Sequence, residues 1–371
     1  SEAAVESSLT SIVQGDKFPQ NGELYQEVLR PQFHFTSKIG WNNDPNGLMY
    51  YGGEYHLFYQ HNPFGWNHGN MHWGHATSTD LVHWTELDEA LHADELGTMF
   101  SGSGVVDHRN TTGLGDGDDP PLVCIYTAAG GTSRQSENHK FTQCIAFSHD
   151  RGRTWEKYGG NPVLEHIAAN NRDPKVIWHE PTGRWVMALY LEENDYALFT
   201  SPNLIDWVRC CDLNIPGTTE CPDIFVLPVD SSPHESKWVF WGASGDYVIG
   251  SFDGRQFEIE SRPHRFQYGR SYAAQSWSDM PFSDGRRIQI AWLRGDKPDM
   301  PFNQQMTFPT ELALRNTSDG IRMFAEPVKE LEALNGRKQT FSPSDLQTAE
   351  LGELLDVRVA IAAAEGSSGG K

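Results

Sequence analysis

Short apolar runs separated by turn residues fill most of this 371-residue chain. Val, Ile, Tyr, Phe and Trp dominate the runs, and Gly, Pro, Asn and Asp separate them, which is the pattern of β-strands joined by tight turns. The best candidate for a helix covers only residues 326–334, about two turns. The pattern therefore predicts an all-β fold built from antiparallel hairpins.

Three of the predicted hairpins carry a carboxylate close to a proline, directly before an apolar strand. The acids are Asp44, Asp173 and Glu220. In the first hairpin Pro45 fixes φ and Gly47 can adopt a positive φ, so we expect a turn that presents Asp44 at the mouth of a strand. One such turn alone is more often an Asx-turn, in which the aspartate only accepts bonds from nearby backbone N–H groups. Recurrence in three hairpins favours a shared site, if the hairpins are related by rotation about an axis.

A second pattern supports such a rotation. Four segments share a Ser-x-Asp/Asn signature followed by an aromatic residue, and they begin at Ser78, Ser148, Ser201 and Ser251. Their spacing of roughly 50 to 70 residues indicates a propeller or a similar array. A less regular fifth unit covers about residues 272–327. We therefore predict a five-bladed β-propeller, with four-stranded antiparallel blades around a central pocket.

The texture of the chain predicts three regions. Residues 1–30 form a polar N-terminal extension, residues 31–335 the propeller, and residues 336–371 a linker with the truncated start of a further unit. The first residues lack the charged-then-apolar pattern of a signal peptide, so we expect that an export signal was removed or never existed. No apolar run is long enough to span a membrane.

The chain is strongly acidic, with 50 acidic residues, 29 basic residues and a net charge of −21. This charge argues against nucleic acid and against an anionic membrane surface as partners. It places no restriction on a neutral substrate, and nothing in the sequence indicates an oligomeric state.

The cysteines and histidines give no metal-binding pattern. The five cysteines include no Cys-x-x-Cys spacing, and buried thiols are favoured over a disulfide for Cys124 and Cys144. Cys221 has no histidine paired with it nearby in the sequence, which disfavours a nucleophilic role. Four histidines cluster in the first blade, at His61, His68, His72 and His75. Their spacing favours packing near a polar pocket over metal binding, so we predict neither a metal nor a cofactor.

Seven blocks of sequence together resemble glycoside hydrolase family 32, which contains invertases, levanases and inulinases. The blocks occur in the order of the family, at residues 41–47, 58–60, 71–76, 100–103, 172–174, 220–223 and 300–306. The resemblance covers roughly residues 33–334. It implies a five-bladed propeller followed by a C-terminal β-sandwich, of which residues 336–371 would contain only the start.

The resemblance also implies a role for each acid. Asp44 would be the nucleophile, Glu220 the general acid/base, and Asp173 a stabiliser that binds fructosyl hydroxyl groups. The further pocket residues that it implies are Trp41, Asn43, Gln60, His68, Phe100, Ser101, Arg172 and Trp292. His68 stands where many members carry a tryptophan, a departure that bears on substrate preference.

The chemistry of the residues is consistent with these roles. A glycosidase needs one ionised carboxylate and one protonated carboxylic acid beside the scissile bond. Asn43 and Asn46 are potential donors that would keep Asp44 ionised, and Arg172 would keep Asp173 charged.

We therefore expect an exo-acting β-fructosidase that releases terminal fructofuranosyl units from sucrose, levan or inulin-type chains by a retaining double displacement. An extracellular or periplasmic location is expected with such substrates. One alternative is a fructosyltransferase that uses the same site. Another is a carbohydrate-binding propeller without turnover, against which the intact set of acids argues.

Overall fold

The computed structural model describes residues 24–336 of the chain. They belong to two compact units, one that ends at Val328 and one that begins at Lys329. Most of the predicted N-terminal extension and almost all of the predicted linker and sandwich start lie outside the described residues. None of the helices among these residues is long and apolar enough to cross a membrane.

The regular structure of the described residues is β-strand, apart from two 3-10 helices at Glu180–Thr182 and Lys329–Leu334. The second helix lies within the stretch that the sequence predicts to be helical. In chain order, the strands are β1 (Gly40–Tyr51), β2 (Glu54–Asn62), β3 (His72–Ser78), β4 (Thr85–Glu86), β5 (Thr98–Val106), β6 (Leu122–Ala129), β7 (Thr142–Ser148), β8 (Glu156–Lys157), β9 (Arg172–His179), β10 (Arg184–Glu192), β11 (Asp195–Ser201), β12 (Val208–Asn214), β13 (Asp223–Pro228), β14 (Ser236–Trp241), β15 (Asp246–Phe252), β16 (Phe257–Ile259), β17 (His264–Arg265), β18 (Ser271–Ser276), β19 (Arg287–Leu293), β20 (Phe302–Asn303), β21 (Gln305–Met306), β22 (Thr310–Thr317) and β23 (Gly320–Pro327).

These strands form five sheets, which we call blades one to five. Their strand orders are β20-β1-β2-β3-β4, β5-β6-β7-β8, β9-β10-β11-β12, β13-β14-β15-β16 with β17 on β15, and β18-β19-β22-β23 with β21 on β19. The innermost strands β1, β5, β9, β13 and β18 contact one another in sequence, and β18 contacts β1. The ring is therefore closed, and the predicted all-β, five-bladed propeller is confirmed.

The ring is closed by strand pairing as well as by packing. Strand β20 follows the second strand of blade five, yet it pairs in parallel with β1, where Gly40 opposes Phe302 and Trp41 opposes Asn303. A second parallel bridge joins Met49 of β1 to Ser278, just after β18. Blade one is thus completed by residues from the far end of the propeller.

Apolar side chains fill the spaces between neighbouring blades. Between blades two and three, Val123 and Ile145 belong to the same buried cluster as Met187 and Leu189. The middle strands have neighbours on both faces, which explains their nearly continuous apolar runs: every residue of β6 is buried. Cys124 and Cys144 are free, buried thiols of this core, in agreement with the prediction.

The repeated Ser-x-Asp/Asn signature forms the connection between the third and fourth strands of a blade. Asp80 accepts bonds from the backbone N–H groups of Val82 (3.0 Å) and His83 (2.8 Å). Asn203 and Asp253 accept equivalent pairs of bonds, and Asp150 accepts a pair from the N–H groups three and four residues ahead of it. Each is an Asx-type cap that turns the chain towards the outer strand.

The sequence predicts a turn at Asp44 before the first strand, and this prediction is wrong. The stretch lies inside β1, which begins at Gly40, and Pro45 opposes Tyr59 of β2. Register shifts on both sides of Pro45 accommodate its missing N–H, and Gly47 has a φ of +57°. The turn residues thus form irregularities within a paired strand, a device that re-aims side chains.

Candidate active site

The three predicted acids converge at one mouth of the propeller. Asp44 lies in the first half of β1, Asp173 is the second residue of β9, and Glu220 lies shortly before β13. All three therefore belong to the N-terminal ends of innermost strands. The thiol of Cys221 lies 3.5 Å from Asp44 Oδ2 and 3.4 Å from Asp173 Oδ2, so a single atom joins two of the carboxylates.

Asp44 is held by donors from two blades. Ser101 Oγ of β5 donates to Oδ2 (2.7 Å), and Asn43 Nδ2 donates to Oδ1 (3.1 Å). Trp41 Nε1 in turn donates to Asn43 Oδ1 (2.7 Å), which fixes the amide. Burial nevertheless raises the pKa of Asp44, and the bond from Ser101 and the charge of Glu220 act in opposite directions. Burial therefore opposes the ionised form of this carboxyl, which the bonds from Ser101 and Asn43 favour.

Glu220 is held from both sides. Arg172 Nη2 donates to Oε1, and Tyr272 OH donates to Oε2 (2.6 Å). The guanidinium of Arg172 lies over the ring of Tyr190, 4.8 Å from its centroid, which fixes the arginine in turn. Both carboxylate oxygens of Glu220 thus have a defined direction.

Asp173 is the most deeply buried of the acids. Its Oδ2 accepts the backbone N–H of Cys221 (3.0 Å), and its own N–H donates to Thr127 Oγ1 (3.0 Å). Arg172 Nε is 3.8 Å away, a longer contact than the one that this arginine makes with Glu220. Burial raises the pKa of Asp173 to about 7, and Arg172 only partly offsets it. The sequence led us to expect that Arg172 keeps Asp173 charged. With a pKa of about 7, Asp173 is instead only partly ionised at neutral pH.

The backbone of the site adopts unusual conformations. Asp173, Glu220 and Cys221 have φ values of 65°, 44° and 36°. Residues other than glycine rarely occupy this left-handed region, and such strain persists where the surrounding structure imposes it. Here the left-handed backbone accompanies a geometry in which Glu220 and Asp173 contact the same arginine, Arg172.

Aromatic side chains form a wall beside the acids. Trp41 makes edge contacts with Trp292 (5.9 Å between ring centroids) and with His68 (6.3 Å). His68 also contacts Phe100 (6.3 Å). The structure thus brings these four predicted pocket residues together around Asp44.

Gln60 supports the wall and makes no direct bond to the three acids. It is buried in β2 and donates to the carbonyl of Met99 (2.8 Å), next to Phe100 and Ser101. Its place is behind the wall, where it holds β5 against β2.

Tyr272 and Cys221 contact the acids, yet sequence patterns did not single them out for these contacts. Tyr272 lies in the least regular blade, so no repeat marks it. Cys221 was considered only as a nucleophile, but burial and the adjacent carboxylates raise the pKa of its thiol well above the usual value. The thiol is therefore protonated, and its single hydrogen can be donated to Asp44 or to Asp173.

Two of the four clustered histidines of blade one, His61 and His75, form hydrogen bonds with neighbouring side chains. His61 Nδ1 bonds to Glu89 (2.6 Å), and His75 Nε2 bonds to His56 (3.0 Å). Within residues 24–336, no group of three or more His, Cys, Asp or Glu side chains is arranged to hold a metal ion.

The site contains two carboxyl groups held by separate sets of donors, together with a third acid and an aromatic wall. A pair of carboxyl groups is the arrangement that glycoside hydrolases use. The model of the glycosyl hydrolases family 32 N-terminal domain matches residues 34–327. The chain belongs to this family.

Individual relatives agree with the family. The levanase of Bacillus subtilis (strain 168) is 42% identical over 380 residues, which cover 94% of this chain and 55% of that protein. The extracellular exo-inulinase of Aspergillus niger is 31% identical, over 93% of this chain and 74% of that protein. The crystal structure of the exo-inulinase from Aspergillus awamori superposes with a TM-score of 0.74 and 33% identity, over 82% of this chain and 68% of that one. This chain thus spans about half the length of the levanase.

Proposed function

We propose that the propeller is an exo-acting β-fructosidase that removes terminal fructofuranosyl units from fructans and from sucrose. The observation that carries the proposal is the convergence of Asp44, Asp173 and Glu220, with Asp44 and Glu220 held by different donors. The levanase and exo-inulinase names of its relatives support fructans as the substrate class.

The contacts suggest how the reaction proceeds. Asp44, fixed by Ser101 and Asn43, attacks the anomeric carbon, while Glu220 donates a proton to the departing oxygen. The C–O bond to the leaving group breaks as the bond to Asp44 forms, which gives a covalent fructosyl-enzyme. Glu220, now ionised, takes a proton from water that attacks the same face and restores Asp44. Asp173 binds hydroxyl groups of the fructosyl unit throughout.

Fructose release tests the activity directly. Sucrose, levan and inulin are compared side by side with the native chain, with Asp44→Ala and with Glu220→Ala. Each variant should lose several orders of magnitude in kcat, since the two groups act in series, while circular dichroism stays native. Near-native turnover in either variant would remove its assigned role.

The stereochemical course tests the double displacement. Early NMR spectra of the product should show β-fructofuranose before mutarotation, because two displacements restore the configuration. Initial release of the α anomer would overturn the nucleophilic role of Asp44. The ratio of free glucose to free fructose from sucrose separates hydrolysis from transfer, because a transferase releases glucose in excess.

An extracellular or periplasmic location is part of this proposal. Polymeric fructans are too large to enter a cell freely, and one relative is named as an extracellular enzyme. Fractionation of the source cells, with activity followed in each fraction, tests it.

A further inference from the structure

A cavity of about 220 Å³ lies at the opposite mouth of the propeller from the three acids. Its lining includes Val106 at the C-terminal end of β5, Trp178 near the end of β9, and Asp279 after β18. The acids lie at the other ends of these innermost strands. The reaction proposed above therefore makes no use of this cavity.

Two indole rings form one side of the cavity. Trp178 and Trp185 meet edge to face, with centroids 5.0 Å apart. Both indole N–H groups are already used, since Trp178 donates to Glu180 and Trp185 donates to Thr111 Oγ1 (2.8 Å). Trp178 is only half-buried, so it offers carbon surface to a ligand rather than a donor.

Charged side chains around the indoles are paired. Arg109 bonds to Glu180 (2.9 Å), and His108 Nε2 lies 3.5 Å from Asp279. Because each basic group faces an acid, the cavity offers no excess positive charge to a phosphate or a nucleic acid, and among residues 24–336 no group of three possible metal ligands is found there. Carboxylate oxygens and guanidinium N–H groups with spare capacity are suited to hydroxyl groups.

Arg109 is placed to respond to a ligand. Its guanidinium lies over the ring of Trp178, 4.7 Å from the centroid, and its side chain is 57% exposed. An exposed ion pair contributes little to stability, so Arg109 and Glu180 can rearrange around a ligand at small cost.

We propose that this cavity binds one ring of a neutral carbohydrate. The C–H face of the sugar packs against Trp178, and its hydroxyl groups bond to Arg109 and Glu180. The volume is below the range of about 300–1,000 Å³ for drug-sized ligands, which fits a single ring with the chain continuing into solvent. Taking the proposed fructan activity as given, the ring belongs to a fructan chain, and a chain held here keeps its ends at a high effective concentration near the catalytic mouth.

Affinity electrophoresis in gels that contain inulin tests the proposal. The parent protein carries Glu220→Gln, so that the polymer is not degraded, and internal rings greatly outnumber chain ends in the gel. Adding Trp178→Ala or Arg109→Ala should raise the dissociation constant for inulin about three- to tenfold, the range of one aromatic contact. Equal dissociation constants for both variants and the parent would overturn the proposal.

Arg153→Ala is the matched control. Arg153 pairs with Glu54 (2.6 Å) and is 44% exposed near the same end of the molecule, but it is not a lining residue of the cavity. Its removal should leave the dissociation constant unchanged, and an equal loss of binding there would reduce the effect to a general charge effect and overturn the proposal.

Folding and catalysis are checked separately. Without Glu220→Gln, Trp178→Ala and Arg109→Ala should hydrolyse sucrose within about twofold of the native chain, because neither residue contacts the acids. If Trp178→Ala fails to fold, Arg109→Ala at its exposed position decides the question. Failure of the proposed function has a different signature, in which the native chain releases no fructose whatever the cavity binds.

Discussion

Asp173 is buried among two other acids, a thiol and a single arginine. Its pKa of about 7 lies above the ordinary value of 3.8, so the folded state retains a proton that the unfolded chain has released between these pH values. The stability that Asp173 contributes is therefore complete below about pH 4 and is lost as pH rises through about 7. Ionised Asp173 therefore has a cost in folding stability at and above neutral pH.

Asp173→Asn should remove this cost, because an amide cannot ionise. We expect Tm at pH 8 to rise by about 2 °C or more relative to the native chain, while the difference at pH 4 is small and activity is lost. Thermal melts at both pH values measure it. Asp150→Asn is the control, since the pKa of this exposed cap is lowered rather than raised. An Asp173→Asn difference that is the same at both pH values would contradict the argument.

Tyr272 is predicted to position the acid/base. Its hydroxyl is 2.6 Å from Glu220 Oε2, and Tyr272→Phe removes this bond while it keeps the ring. A loss of about 1 kcal/mol of stabilisation corresponds to a kcat on sucrose about fivefold lower, with little change in KM. Tyr268→Phe, in an exposed tyrosine of the segment just before β18, should leave kcat unchanged. Native kcat in Tyr272→Phe would place the hydroxyl outside the mechanism.

At the residue scale, what could be predicted depended on repetition. Asp44, Asp173 and Glu220 were found because each stands before an apolar stretch in a recurring hairpin. The raised pKa values of Asp44 and Asp173 could not be found this way, because the burial that causes them arises from the packing of several blades. The contact of Tyr272 with Glu220 joins residues 52 positions apart, and no local pattern encodes it.

At the element scale, the sequence correctly located the hairpins but misplaced the start of β1. The stretch from Asp44 to Gly47 has every local mark of a turn. Pairing with β2, in which Pro45 opposes Tyr59 and Asn46 opposes Phe58, keeps it within the strand instead, with register shifts on either side of this pair. Strand pairing thus overrides the local preference for a turn.

The pairing of β2 with β3 contains a buried histidine pair. His56 Nδ1 lies 3.0 Å from His75 Nε2, and the ring of Phe58 stacks on His75 at 4.0 Å. Burial lowers the pKa of His56 to about 4 and that of His75 well below its ordinary value. Both must stay neutral in the folded state, so their stabilisation is present above about pH 6.5 and is lost as pH falls towards 4.

We expect His56→Phe to reduce the fall in the free energy of unfolding at acidic pH. In the native chain, His56 should account for a fall of more than about 2 kcal/mol in the free energy of unfolding between pH 6.5 and pH 4. Urea unfolding at several pH values measures how steeply the free energy of unfolding falls with pH. This slope is informative even if the variant is less stable than the native chain at every pH. His234→Phe, at an exposed histidine, should keep the native slope. An unchanged slope in His56→Phe would show that other groups titrate.

At the scale of the whole molecule, a propeller depends on how its ring is closed. The sequence predicted the five blades from their spacing, but not the parallel pairing of β20 with β1, because two-residue strands carry no periodicity. Arg30, at the end of the predicted N-terminal extension, takes part in this closure. Its guanidinium lies 3.6 Å from the ring centroid of Phe302 in β20.

Arg30 is only 8% exposed. It donates to Thr36 Oγ1 (2.8 Å) and to the carbonyl of Ser37 (2.7 Å), and it pairs with Glu27 (2.7 Å). One planar group thus joins the segment before blade one to the strand that completes this blade. A lysine could supply the charge but not this set of directed bonds.

Arg30→Ala should therefore destabilise the closed ring. It leaves the carbonyl of Ser37 and the carboxylate of Glu27 without their partner and removes the contact with Phe302, which together cost about 3 kcal/mol. Thermal melts should show a Tm lower by about 6 °C or more, with Arg30→Lys between this value and the native one. Arg315→Ala is the control, because Arg315 pairs with Glu326 at an exposed position, and its loss should shift Tm by less than about 2 °C. If Arg30→Ala has the same Tm as the native chain, Arg30 makes no contribution to the closure of the ring.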